Sequence, residues 1–168
     1  MSNNISYKSD ENVKVGQLIL EINNKPVAYA TEAKLAIATD AIDTSNKMDG
    51  SWKSVVAGKK SFTVSSNSLL TDQEGTESYK ELIAAQIAGA PIPFKFGTMK
   101  STEDPQTGAL TNVEIDPAYQ SYSGNIIITS NELNSQNGDL AKHDLQAQGS
   151  GPLIPVAAVA GNGGGGVH

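Results

Sequence analysis

His143 and His168 are the only histidines in this chain, so any nucleophile, base and carboxylate relay must be built on one of them. His143 is followed directly by Asp144 in a stretch that alternates apolar and polar residues. Alternation is a strand signal, and a strand sends adjacent side chains to opposite faces, so this pair does not make a base with its orienting carboxylate. Asp40, Asp43 and Asp49 share one segment but lack the ligand spacing and closing Glu of a calcium loop, which leaves a solvated acidic loop. The glycines at 163–166 are followed only by Val167 and His168, without the Lys, hydroxyl residue or helix of a phosphate cradle. The absence of Cys removes thiol nucleophiles, thiolate zinc sites and iron–sulfur clusters. At 5% aromatic residues, platforms for sugar stacking are scarce, and the single Trp52 is expected as a packing anchor at a strand start. These residues give no footing to an enzyme: catalytic residues, cofactor and metal are all expected to be absent.

The composition narrows the partners. All 12 basic residues are Lys, set against 18 acidic ones, for a formal charge of −6. Arg reads phosphate and guanine through a two-pronged fork that Lys lacks, so an acidic, Arg-free chain is a poor nucleic-acid reader and a poor ligand for anionic membranes. A chain of 168 residues with 38% hydrophobic content can bury a core of its own as one domain without disulfides. No stretch approaches the roughly 18 apolar residues of a membrane span. The opening residues lack an apolar signal region, so the product is expected to stay in the cytoplasm.

The elements are mostly strands. A polar arm at 1–13 precedes a strand at 15–22, in which Leu18, Leu20 and Ile22 alternate with Gln17, Ile19 and Glu21. Asn23-Asn24 reads as a hairpin turn, because Asn tolerates the positive φ such turns demand. Further strands are expected at 26–31 and 33–39, a long loop at 40–50, and a second hairpin of 51–56 with 60–66 joined through Ala57-Gly58-Lys59. One helix is expected at 76–88, with Thr76 as N-cap, Gly89 after its end, and Tyr79, Leu82, Ile83 and Ile87 forming the face that packs on the core. Strands follow at 92–97, 119–130 and 140–148, the last two separated by an Asn137-Gly138-Asp139 turn.

Two features point outward from such a domain. The segment 98–117 is a long loop for a compact fold, and its Val113 and Ile115 alternate with polar residues, so it is expected to add a strand to a neighbouring subunit. The end of the chain, 153–168, reads as an extended apolar arm (Leu153, Ile154, Val156) running into glycines, mobile alone and docked on a neighbour when assembled. The domain proper is 14–152.

The order of motifs resembles the major tail proteins of long-tailed phages, the tail tube family. Gly16-Gln-Leu-Ile-Leu, Lys25-Pro-Val-Ala-Tyr-Ala and Ala33-Lys-Leu-Ala-Ile look like that family's start. Its middle is similar to Asp49-Gly-Ser-Trp-Lys, Gly58-Lys-Lys-Ser-Phe-Thr-Val, the helix ending at Gly89, Pro91-Ile-Pro-Phe-Lys-Phe and Tyr122-Ser-Gly-Asn-Ile-Ile-Ile-Thr-Ser. Asn137-Gly-Asp and Gln148-Gly-Ser-Gly-Pro-Leu resemble its end; the apolar and glycine-rich extension after Pro152 does not. The resemblance implies a mainly β fold, a β-sandwich or barrel of antiparallel strands with one flanking helix. It further implies hexameric rings stacked into a tube through which DNA passes without specific binding, in the virion tail, with tape-measure, terminator and baseplate proteins as partners. A tube protein of a contractile injection or type VI secretion-like system and a fimbrial or surface β-sandwich are the competing readings.

Overall fold

The computed structural model describes residues 18–71, 76 and 78–159. The arm at 1–13, the first residues of the 15–22 strand, the glycine run and His168 lie outside these residues. Among the described residues eight strands and one helix follow in chain order: β1 Leu18–Ile22, β2 Lys25–Pro26, β3 Ala30–Asp43, β4 Val55–Leu69, α1 Tyr79–Ala88, β5 Ile92–Glu103, β6 Leu110–Ile115, β7 Ser121–Asn134 and β8 Lys142–Val156. The strands form one antiparallel sheet in the order β2-β1-β5-β7-β8-β4-β3, with β6 attached to β5. Mainly β, with one flanking helix among the described residues, is therefore the architecture, and it is one open, rolled sheet rather than two stacked ones.

Side chains of one face fill the roll. Leu20 and Ile22 of β1, Phe62 and Val64 of β4, Phe94 and Phe96 of β5, Ile126 and Ile128 of β7, and Leu145 and Ala147 of β8 share one core with Leu82 of α1. β4 and β5 are separated in the sheet by β7 and β8, yet the Phe62 and Phe94 rings lie 5.6 Å apart. That contact requires the sheet to curl. Glycines in the central strands make room for it: a Cβ at Gly149 would sit 2.3 Å from the Phe62 ring, and one at Gly124 would crowd the Phe94 ring at 3.2 Å. Where the roll stays open, β1 and the start of β3 border a cleft of about 510 Å³ that also meets Met99 and Leu110.

Local chemistry sets the turns. Asn23 and Asn24 hold φ of 54° and 62° and join β1 to β2 as a two-residue hairpin. The helix starts two residues later than the expected Thr76 cap. Ser78 is the N-cap, and its backbone N–H donates to the Glu81 carboxylate at 3.1 Å, half of a capping box. Gly89, at φ 70°, closes the other end with its N–H on the Ala85 carbonyl at 3.1 Å.

Four expected boundaries are corrected. The strands expected at 26–31 and 33–39 are a two-residue β2 followed by the 14-residue β3. The hairpin expected through Ala57-Gly58-Lys59 does not exist, because β4 runs unbroken past Gly58 and the loop of the β3–β4 hairpin is 44–54. The long loop expected at 98–117 is largely a hairpin: β5 continues to Glu103, and β6 returns with Ile115 opposite Met99 and Leu110 opposite Glu103. The C-terminal arm begins as strand, since β8 extends to Val156 and pairs Ile154 with Ser123 and Val156 with Ser121. Pro155 is tolerated there because β4 has already left β8 at Gln148, so β8 is by then an edge.

Candidate assembly surface

The longest exposed feature is the far half of the β3–β4 hairpin. Near the core β4 alternates, with Phe62, Val64, Ser66 and Ser68 buried. Beyond Phe62 the alternation ends, and Ile37, Ile42, Val55 and Val56 are each at least half exposed although the ladder continues to Asp43 opposite Val55. This arm stands clear of the core with apolar side chains uncovered.

Its tip is tied down by short polar side chains. The Asp43 carboxylate accepts from the Ser45 N–H at 2.8 Å, and the Ser45 hydroxyl and N–H together hold its pKa below the ordinary carboxylate value. Asp49 accepts from the Asn46 N–H at 2.9 Å, Asn46 from the Met48 N–H at 2.8 Å, and the Ser45 hydroxyl from the Ser54 N–H at 2.9 Å. Two of the three aspartates considered for metal chemistry thus act as turn caps. The cage they form carries Met48 at 93% and Trp52 at 82% exposure, so Trp52 is no packing anchor.

A groove of about 550 Å³ opens where β6 and the end of β8 meet. It brings together three of the residues expected at an interface, Val113, Ile115 and Val156, with Pro117, Tyr119 and Val159, and is bordered by Glu21, Lys95 and Glu114. The groove is firmly built. Ile115 lies over Gly97, where a Cβ would come within 2.9 Å of its side chain, and its N–H donates to the buried Glu21 carboxylate at 3.0 Å. The N–H of Val159 donates to the Pro117 carbonyl at 2.8 Å, which straps the chain along the rim. The other two expected residues lie elsewhere. Leu153 packs against the core, and Ile154 borders a smaller groove of about 230 Å³ with Pro93 and Ser123.

The helix face divides. Leu82 is 1% exposed, Tyr79 and Ile83 are half-buried, and Ile87, expected in the core face, is 82% exposed. What completes the docking of α1 is polar. Asn131 of β7 donates to the Gln86 side chain at 2.9 Å and to the Leu82 carbonyl at 3.4 Å. Its oxygen therefore accepts from Nε2 of His143 at 2.7 Å, while Nδ1 of the same ring faces the Ser68 hydroxyl at 3.4 Å. Burial pushes the His143 pKa below its ordinary value, against a smaller upward pull from Asp144. His143 thus joins helix to sheet as a neutral ring. Among the described residues no cluster of His, Asp and Glu is arranged to hold a metal ion.

No protein-family profile matches the chain, and no curated protein does. Solved structures do. A chain from the tail of an empty gene transfer agent particle, refined helically with C6 symmetry, is similar over 84% of this chain and 97% of its own length, with a TM-score of 0.64 at 16% identity. The SPP1 tail tube is similar over 86% of this chain and 80% of that one (TM-score 0.59, 10% identity). A chain from the sheath/tube terminator of an extracellular contractile injection system gives 86% and 96% (TM-score 0.58, 12% identity). At these identities the likeness establishes the fold, which is the one used in tail and injection tubes.

Proposed function

We propose that this chain is the repeating structural subunit of a tail tube in a phage-like virion, assembling as stacked hexameric rings. The observation that carries the reading is the β3–β4 arm, which exposes Ile37, Ile42, Val55, Val56, Met48 and Trp52 on a fold shared with tail tubes. An isolated soluble domain gains nothing from so much uncovered apolar surface, whereas a subunit buries it against its neighbours. The C6 symmetry of the similar gene transfer agent tail supports six copies per ring. The groove holding Val113, Ile115 and Val156 is a second contact surface, and Ile154 beside it extends that contact. Terminator and baseplate proteins at the tube ends and a tape-measure protein inside during assembly are the implied partners. Catalysis has no part in this role.

DNA moves through the lumen without being held. Each Lys contact to phosphate adds affinity through counterion release, and repeated subunits multiply it. A subunit of charge −6 without Arg avoids that grip. Electron microscopy and sedimentation of the concentrated protein test the reading: rings or tubes are expected, and a monomer at every concentration overturns it. Assembled tubes are expected to pass a duplex-DNA column at physiological salt, and retention with a steep salt slope overturns the sliding-conduit part alone.

A further inference from the structure

We propose that the groove between β6 and the end of β8 receives the Met48–Trp52 tip of the β3–β4 arm from a second copy of this chain. The inference rests on the tube-subunit reading and names which surfaces of two copies meet.

The first argument is from the tip. Met48 and Trp52 are among its most exposed side chains, yet the backbone beneath them is held by the Asp43, Asn46, Asp49 and Ser45 hydrogen bonds. A pre-organised loop gives up little freedom on docking, and Trp is the residue type most often found as a binding anchor. The second argument is from the groove. It is concave, is lined by the apolar Val113, Ile115, Val156 and Val159, and its space of about 550 Å³ is not filled by any tip residue of its own chain. The third is charge. The tip carries Lys47 and Lys53 with Asp43 and Asp49, so its charges balance, whereas the groove carries Glu21 and Glu114 against Lys95. A balanced tip in a chain of charge −6 thus faces a net negative groove. Lys53 is already paired with Asp43 at 3.4 Å, and Lys47 makes no ion pair among the described residues, which leaves it for Glu114.

The lack of Cys makes the contact directly testable. A Met48→Cys/Val113→Cys variant, assembled and treated with a short bismaleimide, is expected to give a ladder of cross-linked multimers. A Met48→Cys/Ile127→Cys control, with its second cysteine on the outer face of β7, is expected to give none. Assemblies without 48–113 product, or with equal product in the control, overturn the pairing and leave the tube reading standing. A wild-type protein that never assembles overturns both. Two measurements avoid cysteines altogether. Emission of the sole Trp52 should shift to the blue when wild-type protein assembles, and an unchanged spectrum overturns the proposal. Trp52→Ala should raise the concentration needed for assembly at least about tenfold, as loss of a binding anchor does, while leaving the monomer folded. Assembly at the wild-type concentration overturns it.

Discussion

β3 and β4 carry one backbone ladder through two environments. From Ala33 to Ala36 opposite Ser66 to Thr63 the pair forms a wall of the core, and β4 buries Ser66 and Val64 there and Phe62 just beyond. From Ala38 onward the same hydrogen-bonding pattern continues, and neither face is covered. Backbone pairing alone does not distinguish the halves. Apolar burial does, at roughly 25 cal/mol per Å² removed from water, and the arm forgoes that term until something covers it. The near half thus serves the stability of the fold, and in the proposed reading the far half serves contact beyond it.

Substitutions can break or sharpen this division. Phe62→Ala, on the core side, is expected to cost about 3–5 kcal/mol in denaturant unfolding, since its ring is 4% exposed and spans from Gly149 to Phe94. Leu82→Ala should cost about 2–5 kcal/mol, because the helix contributes this one fully buried side chain to the core. A loss below about 0.5 kcal/mol would place α1 with the arm rather than the core. Mild acid, above the carboxylate range, should weaken the core side. The folded-state pKa of His143 is depressed, so the unfolded chain binds its proton first. Stability should be level above the ordinary His value near 6.5 and should fall as pH drops below it, by at most about 1.4 kcal/mol per pH unit. His143→Gln should flatten that slope between pH 7.5 and 5, and an unchanged slope would assign it to other groups. The smallest effect belongs to the arm: Ile42→Ala or Val56→Ala should change monomer stability by no more than about 0.5 kcal/mol while impairing assembly. A loss of several kcal/mol in the monomer would erase the distinction.

The sequence showed the near half far better than the far half, for a physical reason. Leu20 and Ile22, Phe62 and Val64, and Leu145 and Ala147 alternate because a curled sheet has one inside, and period two is its signature. Asn23-Asn24 and Gly89 were legible because positive φ restricts residue type. Gly58 misled because glycine marks both turns and bulges. In the structure it lies in β4 at the register shift near Thr39 and Ala41, where a Cβ would press on Ile42 at 3.1 Å. Segment 98–103 looked like loop because Met99 is its only apolar residue, and pairing with β6, not burial, makes it a strand. Leu153 to Val156 looked like a tail because its prolines forbid a central strand, and nothing local announces that β8 has become an edge. The arm was the hardest to read: Ile37 shares the alternation of Ala33 and Leu35 and so looks like core, yet the layer that would cover it is missing and it is 60% exposed.

The tip and the groove are different surfaces of one polypeptide, so two copies joined through them still present one unused tip and one unused groove. Such a contact is directional, and every addition recreates the end that it consumed. Where it runs from one stacked ring to the next, instead of closing within a ring, growth along it has a polarity but no natural last member. The finished length of such a polymer is therefore not encoded in this chain, and a ruler or a stopper of another sequence must set it.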